Sequence, residues 1–286
     1  MESKNEKLLH TFETFLQQHL PEVESFHPHY QNALKEMFEA GGKRFRPLLL
    51  LGVVDAYAPL MIPSAMYAAA AVEMLHTYSL IHDDLPTFDD AELRRGVPTL
   101  HKRYDEVVAT LAGDALNTYS FEMIADAPLA ADTKVKLIKI LAQNGGAKGM
   151  VLGQAIDCFF ENQKLTLEEL TFLHLHKTAK LIAASLKMGG IIVDLPRKEL
   201  DLLYEIGLKI GLLFQVQDDI IDATQTSEVA GKPTGNDSIK NSFTNLLGVE
   251  GAKAEKEKLL EESREMIASL DSSLQSRLSD LINRYF

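Results

Sequence analysis

Gly211-Leu-Leu-Phe-Gln-Val-Gln-Asp-Asp-Ile-Ile-Asp222 is the stretch on which the reading of this chain turns. Gln215, Asp218, Asp219 and Asp222 follow the spacing i, i+3, i+4, i+7, so a helix gathers them into one polar stripe. The residues between and beside them, Leu212, Leu213, Phe214, Val216, Ile220 and Ile221, want burial, which turns the stripe toward a protected interior. Unpaired carboxylates there are costly, and divalent cations are the common remedy.

A second acidic group lies upstream, in Leu80-Ile81-His82-Asp83-Asp84-Leu85-Pro86-Thr87-Phe88-Asp89-Asp90. Pro86 disfavours the α conformation at Leu85, which predicts a helix stop near Asp84 and a loop that brings Asp89 back toward the helix end. The dipole is negative at a helix C-terminus, so three converging carboxylates there call for a cation. Taken alone, the motif also fits a solvated acidic helix end. Two such groups on separate helices, with no cysteine partner and no Glu-x-x-His pair placed with them, make hard oxygen sites. Mg2+ suits them because it keeps several waters and is completed by substrate phosphates. The alternation of an EF-hand loop is not present.

Working outward, nearly every long segment keeps the helical period, and alternating runs bounded by hairpin turns are missing. The expected fold is all-α, a single helical domain over residues 1–286. Pro47 reads as the first residue of one helix, and Pro63 with Ser64 opens the next, which runs to about Asp84. Further helices are expected around Glu106 to Ala125, Asp132 to Cys158, Thr166 to Ile192 and Arg197 to Ala223, with two more from Glu250 onward. Thr166 to Glu169 and Ser269 to Ser272 supply polar caps. Two long polar loops, Thr87 to Pro98 and Thr224 to Thr244, are candidates for binding loops or lids.

Composition narrows the function classes. The chain has 286 residues, 46% hydrophobic and 24% charged, with a formal net charge of −12, which argues against a broad nucleic-acid or anionic-lipid surface. The most apolar stretch, Leu48 to Leu75, is broken by Asp55, Pro59, Pro63 and Glu73, so two buried helices are expected there and no membrane insertion. One cysteine, Cys158, and the absence of a signal-peptide pattern at the start fit a reducing cytoplasm.

Against that negative charge, the cations near the acidic motifs are grouped. Gly41-Gly42-Lys43-Arg44-Phe45-Arg46-Pro47 runs into a helix start, where backbone donors favour an anion. Arg94-Arg95 follows the first acidic loop, Lys177-Thr178 lies mid-chain, and Lys232 and Lys240 fall in the long loop after the second. For any one of them ordinary solvated surface is an even alternative. Jointly with six aspartates they imply two diphosphate sites, one bridged by metal and one held by cations alone. His76, two turns before Asp83, is either a cavity residue or a satisfied core histidine. Gln154 and Asp157 are weighed for the same cavity, and the glycines of Gly145-Gly146 and Gly149 to Gly153 are read as close helix packing.

These residues resemble the trans-polyprenyl diphosphate synthase family. The matching segments are GGKRFRP at Gly41, HTYSLIHDDLPTFDDAELRRGVPT at His76, LAGDAL at Leu111, GMVLGQAID at Gly149, HKTAKLI at His176, GLLFQVQDDIID at Gly211 and the loop of Lys232 and Lys240. The resemblance implies an isoprenoid-synthase bundle around a deep central cavity, normally a homodimer. It implies condensation of isopentenyl diphosphate with dimethylallyl or geranyl diphosphate to farnesyl diphosphate. By the same resemblance Asp83, Asp84, Asp89, Asp218, Asp219 and Asp222 hold three Mg2+ on the allylic diphosphate. Arg94, Lys177, Lys232 and Lys240 contact that diphosphate, and Lys43, Arg46, His76 and Arg95 hold isopentenyl diphosphate. Lys177, Thr178 and Gln215 are the implied catalytic residues, the last two facing the forming carbocation. Tyr78, fifth before Asp83, with its neighbour Ser79, goes in this family with a fifteen-carbon product.

Two departures stand out. Ala91 occupies a place where many relatives carry a third Asp, and Ile239-Lys240-Asn241-Ser242-Phe243-Thr244 alters the usual lysine segment, which bears most on Lys240. Geranyl or geranylgeranyl diphosphate as product, and a non-catalytic prenyl-diphosphate-binding subunit, are the alternatives within this resemblance. A His-Asp phosphohydrolase is prompted by His82-Asp83, but leaves the double Asp-Asp pattern unexplained. A di-iron bundle is prompted by Glu73-x-x-His76 but needs a second such pair, and Glu24 to His27 is hemmed in by Pro21 and Pro28. A terpene cyclase would mix Asn, Ser and Glu into its second metal motif.

Overall fold

A computed structural model describes residues 4–224 and 241–286. The helices are α1 (Lys4–Gln18), α2 (Tyr30–Glu39), α3 (Phe45–Tyr57), α4 (Ile62–Asp83), α5 (Leu100–Arg103), α6 (Glu106–Asp126), α7 (Ala131–Gly145), α8 (Met150–Phe159), α9 (Leu167–His174), α10 (Lys180–Ile192), α11 (Arg197–Thr224), α12 (Phe243–Ala268) and α13 (Ser272–Tyr285). The expected all-α class stands; among the described residues the only strands are β1 (Leu93–Arg94) and β2 (Val97–Pro98), a two-stranded antiparallel hairpin inside the predicted acidic loop.

The architecture follows from which helices are apolar all round. Leu48 to Leu51, Val53 and Val54 of α3 and Ala68 to Ala71 of α4 are completely buried. α3 serves two cores at once. Leu50, Leu51 and Val54 join a cluster with α4 and α6, while Leu48, Leu49 and Val53 join one with α11, α12 and α13. α10 divides in the same way, Leu181 and Met188 on one side, Ile182 and Leu186 on the other. α3 and α10 are therefore the shared wall of the bundle, with α4 and α11 packed along it.

Several boundaries differ from the sequence expectation. Asp132 to Cys158 is two helices, because α7 ends at Gly145 and Gly149 adopts φ −133°, ψ −125°, outside any helix. Thr166 does cap α9 in a full capping box with Glu169. The α13 cap is Asp271, whose carboxylate accepts from the Ser273 backbone N–H, rather than Ser269 or Ser272. α12 starts seven residues before Glu250, at Phe243, and breaks at Gly248, where φ is 73°. α1 and α2, which the periodicity did not single out, complete the N-terminal side.

Candidate active site

Pro86 ends α4 as expected. Asp83 is its last residue, Asp84 follows, and the loop folds back so that the Asp89 N–H donates to the Asp83 carbonyl at 3.0 Å. This loop and the inner face of α11 form opposite walls of a cavity of about 440 Å³. Asp83 and Asp89 line one side, and Gln215, Asp218, Asp219 and Asp222 line the other. The i, i+3, i+4, i+7 stripe thus faces inward.

Asp84 behaves differently from its neighbours. It is turned from the cavity and buried, and it accepts from the Arg94 Nε at 2.9 Å. Burial, aided by the charges of Asp83 and Asp89, pushes its carboxyl up to about 6 even with Arg94 beside it. Asp219 is pushed up to about 7, again chiefly by burial, while it accepts from the Phe243 backbone N–H at 2.7 Å and from Gln215 at 2.8 Å. Among the described residues no three His, Cys, Asp or Glu converge into a ready-made metal cage. The donors are nevertheless all hard oxygens, and burial that penalises their anionic forms is relieved by a cation, so the set fits Mg2+ completed by a ligand's phosphates.

Lys177 and Thr178 stand on a single π-helical turn, Leu175–Ala179, between α9 and α10. Wider turns of this kind recur at functional sites. The neighbours leave little room for anything else. A Cβ on Gly153 of α8 would lie 2.1 Å from the Lys177 backbone nitrogen, and one on Gly211 of α11 would lie 2.3 Å from the Ala179 Cα. Lys177 Nζ reaches Asp157 Oδ2 at 2.5 Å and Asp83 Oδ1 at 3.7 Å. Burial alone would lower the lysine's pKa, but Asp83 and Asp157 outweigh it and hold the amine above its ordinary value. The Thr178 hydroxyl donates to Gln215 Oε1 at 2.9 Å, so Thr178, Gln215 and Asp219 form one hydrogen-bonded chain.

A group of cations gathers at the other end of the cavity, where Lys43, Arg46, Arg95 and His76 contribute to the lining, while Arg94 lines it on the acidic side, against Asp84. The Lys43 amine sits 5.5 Å over the Phe214 ring, and its backbone carbonyl accepts from the Tyr285 hydroxyl at 2.6 Å. Arg46 lies 3.2 Å from His76 Nε2. Burial and the nearby Arg46 lower the His76 pKa to about 4, so at neutral pH its ring accepts from Arg46. Glu73 receives Arg44 at 2.8 Å and Arg95 at 3.3 Å. Burial would raise its carboxyl; the nearby His76, with Nδ1 3.9 Å away, and the arginine charges overcome this, and it stays ionised. With Glu73 committed to arginines, Glu73 and His76 are not a di-iron pair.

Two expected residues besides Asp84 lie off this cavity. Cavity-lining Glu73, His76, Leu80 and Asp83 share one face of α4, and Tyr78 falls between those turns. It is buried with its ring edge-on to His82, centroids 5.6 Å apart, and Asp114 of α6 contributes to raising its pKa after burial itself. Ser79 donates to the His76 carbonyl at 2.7 Å. Lys232 and Lys240 lie outside the described residues.

Other residues complete the site. Gln154 donates to Asp83 Oδ1 at 2.5 Å, and Asp157 lines the cavity, as the sequence allowed. Glu73 was legible as a charge breaking an apolar helix and as half of a Glu-x-x-His pair, but not as the partner of Arg44 and Arg95. His174 gave no signal; it is buried against Phe243, ring centroids 5.5 Å apart, and burial lowers its pKa to about 4.

This arrangement has clear relatives. The chain is 42% identical over 251 residues to the farnesyl diphosphate synthase of Bacillus subtilis, covering 85% of this chain and 84% of that protein. It is 43% identical over 251 residues to geranylgeranyl pyrophosphate synthase 9 of Arabidopsis thaliana, covering 85% and 69%. A solved geranyltransferase from Helicobacter pylori, complexed with magnesium and isoprenyl diphosphate, superposes with a TM-score of 0.95 at 50% identity, over 99% of this chain and 98% of that one. The polyprenyl synthetase family model matches residues 27–280, and with two acidic walls and a cationic end around one cavity, the chain belongs to that family.

Proposed function

We propose that this protein is a farnesyl diphosphate synthase, a prenyltransferase that joins isopentenyl diphosphate to dimethylallyl or geranyl diphosphate and releases pyrophosphate. The observation that carries the reading is the single cavity with carboxylates on two facing walls and a separate cluster of cations at its end. An allylic diphosphate bridged to carboxylates by metal fits the first region. A second diphosphate held without metal fits Lys43, Arg46, His76 and Arg95.

Asp83, Asp84, Asp89, Asp218, Asp219 and Asp222 would hold Mg2+, three ions in all, with Asp84 leaving Arg94 to do so. Bound there, the metal supplies charge neutralisation of the departing diphosphate. Lys177, held charged by Asp83 and Asp157, and Arg94 add fixed positive charge where the leaving oxygen becomes negative. The allylic C–O bond breaks with its electron pair going to the diphosphate. The double bond of isopentenyl diphosphate then attacks the allylic cation, and the proton lost afterward passes to pyrophosphate. The Gln215 carbonyl oxygen and Thr178 hydroxyl lie beside that cation and stabilise it by their dipoles, while Phe45, Leu80 and Phe214 help to exclude water.

The same reading makes the chain one polyprenyl synthase domain, a homodimer, working in the cytoplasm. No helix among the described residues is long and apolar enough to cross a membrane. Pyrophosphate release tests the chemistry: it should require Mg2+ and both substrates together. Release from the allylic diphosphate alone would indicate a hydrolase, and binding without release a non-catalytic subunit.

A further inference from the structure

We propose that Glu13, on the N-terminal helix α1, is a positioning residue for the isopentenyl diphosphate cradle, acting through Arg44. The inference rests on the synthase reading above and concerns a residue outside the stretch matched by the family, 27–280.

The cradle is built on a strained loop. Between α2 and α3 the backbone passes through φ of 80° at Gly41, 150° at Gly42 and 46° at Arg44. Arg44 carries a Cβ into the left-handed region, a costly place for any residue but glycine. Lys43 and Arg46, on either side of it, project into the cavity, so the direction of both depends on Arg44 keeping this conformation.

The Arg44 guanidinium is held on every side. Its Nε donates to Glu13 Oε1 at 2.8 Å, Nη1 to Glu73 Oε1 at 2.8 Å, and Nη2 to the Phe38 carbonyl at 2.8 Å and to Glu13 Oε2 at 3.5 Å. Arg95 is docked in parallel, on the Met37 carbonyl at 2.8 Å and on the same Glu73 oxygen at 3.3 Å. The two arginines thus cap consecutive carbonyls at the C-terminal end of α2, where the helix dipole favours cations. A Cβ on Gly42 would come within 3.0 Å of Arg95 Cζ and 3.2 Å of Arg44 Nη1, so the loop backbone lies directly against both guanidiniums. Glu73 is shared between two arginines, and Glu13 is the carboxylate that belongs to Arg44 alone. Glu13 does not line the cavity, whereas Glu73 does.

Electrostatics and positioning make opposite predictions for its removal. Taking away a carboxylate near an anion site strengthens anion binding if charge alone matters. If Glu13 holds Arg44, its loss frees the guanidinium, relaxes the left-handed turn and disperses Lys43 and Arg46, and binding weakens.

The test is steady-state kinetics of Glu13→Gln and Glu13→Asp beside the wild type, with both substrates varied. The expected result is a KM for isopentenyl diphosphate about tenfold higher in Glu13→Gln. The KM for geranyl diphosphate should stay within about twofold, and most of the loss should be recovered in Glu13→Asp. An unchanged or lowered KM for isopentenyl diphosphate overturns the proposal, as does an equal rise for both substrates. Should Glu13→Gln fail to fold, Glu13→Ala takes its place and must raise the KM for isopentenyl diphosphate selectively, with Glu13→Asp again near the wild type. Calorimetric titration of isopentenyl diphosphate into wild type and variant makes the same comparison without turnover. A wild type that binds but does not condense then sinks the synthase reading and leaves the positioning claim to be decided by the titration.

Discussion

Lys177 Nζ and Asp157 Oδ2 lie 2.5 Å apart, on elements brought together by the missing side chain of Gly153. The pair sets a fixed positive charge beside Asp83, where a leaving diphosphate needs it. Lys177→Met should lower kcat by about a hundredfold or more, as expected for a residue acting on developing charge. Asp157→Asn, which keeps the lysine but frees its head group, should have a smaller effect of about tenfold. Single-turnover rates check both, and equal losses in the two variants would refute a separate positioning role for Asp157.

Gly211 packs its Cα against Ala179 at the π turn, so a methyl group there meets backbone rather than a yielding side chain. Gly211→Ala should destabilise the protein by about 3 kcal/mol. It should also pull Gln215 away from Thr178. Urea unfolding gives the first quantity, and a change below about 0.5 kcal/mol would show that the helices are not in this contact.

Asp219 carries a pH signature. Its carboxyl is pushed up to about 7 in the fold, against an ordinary value of 3.8, so the folded state binds the proton more tightly than the unfolded chain. Stability from this group therefore falls as pH rises from about 4 to about 7. Asp219→Asn escapes that loss, so in metal-free buffer the difference in Tm, variant minus wild type, should grow more positive over this range. His76 and His174 titrate in both proteins and cancel in the difference. A difference independent of pH would contradict the buried-carboxylate assignment.

Tyr78 is wedged between α4 and α6 beside His82 rather than exposed in the open part of the cavity. Tyr78→Ala empties that wedge and should shift the product toward twenty carbons. An unchanged product distribution would show that the limit on chain length lies elsewhere.

The parts of this molecule that sequence reveals are those written in residue spacing. The stripe from Gln215 to Asp222 needs only the helical repeat to be read, and Pro86 marks the end of α4 without any tertiary information. What stayed hidden depends on contacts between distant segments. The π turn adds no residue type that periodicity registers, yet it is the turn from which Lys177 and Thr178 both line the cavity. The break between α7 and α8 falls at Gly146-Ala147-Lys148-Gly149, a stretch too poor in large apolar residues to carry a pattern. Asp84 looked like its neighbour Asp83, and only the hairpin that delivers Arg94 turns it away from the cavity. Glu73 and Glu13 meet Arg44 across 29 and 31 residues of sequence, a distance over which no local rule operates.

The most direct measurement incubates the purified protein with Mg2+, isopentenyl diphosphate and geranyl diphosphate and determines the product by mass spectrometry. The account predicts a fifteen-carbon diphosphate, formed together with pyrophosphate and abolished by chelating the metal. Recovery of both substrates intact under these conditions would contradict it.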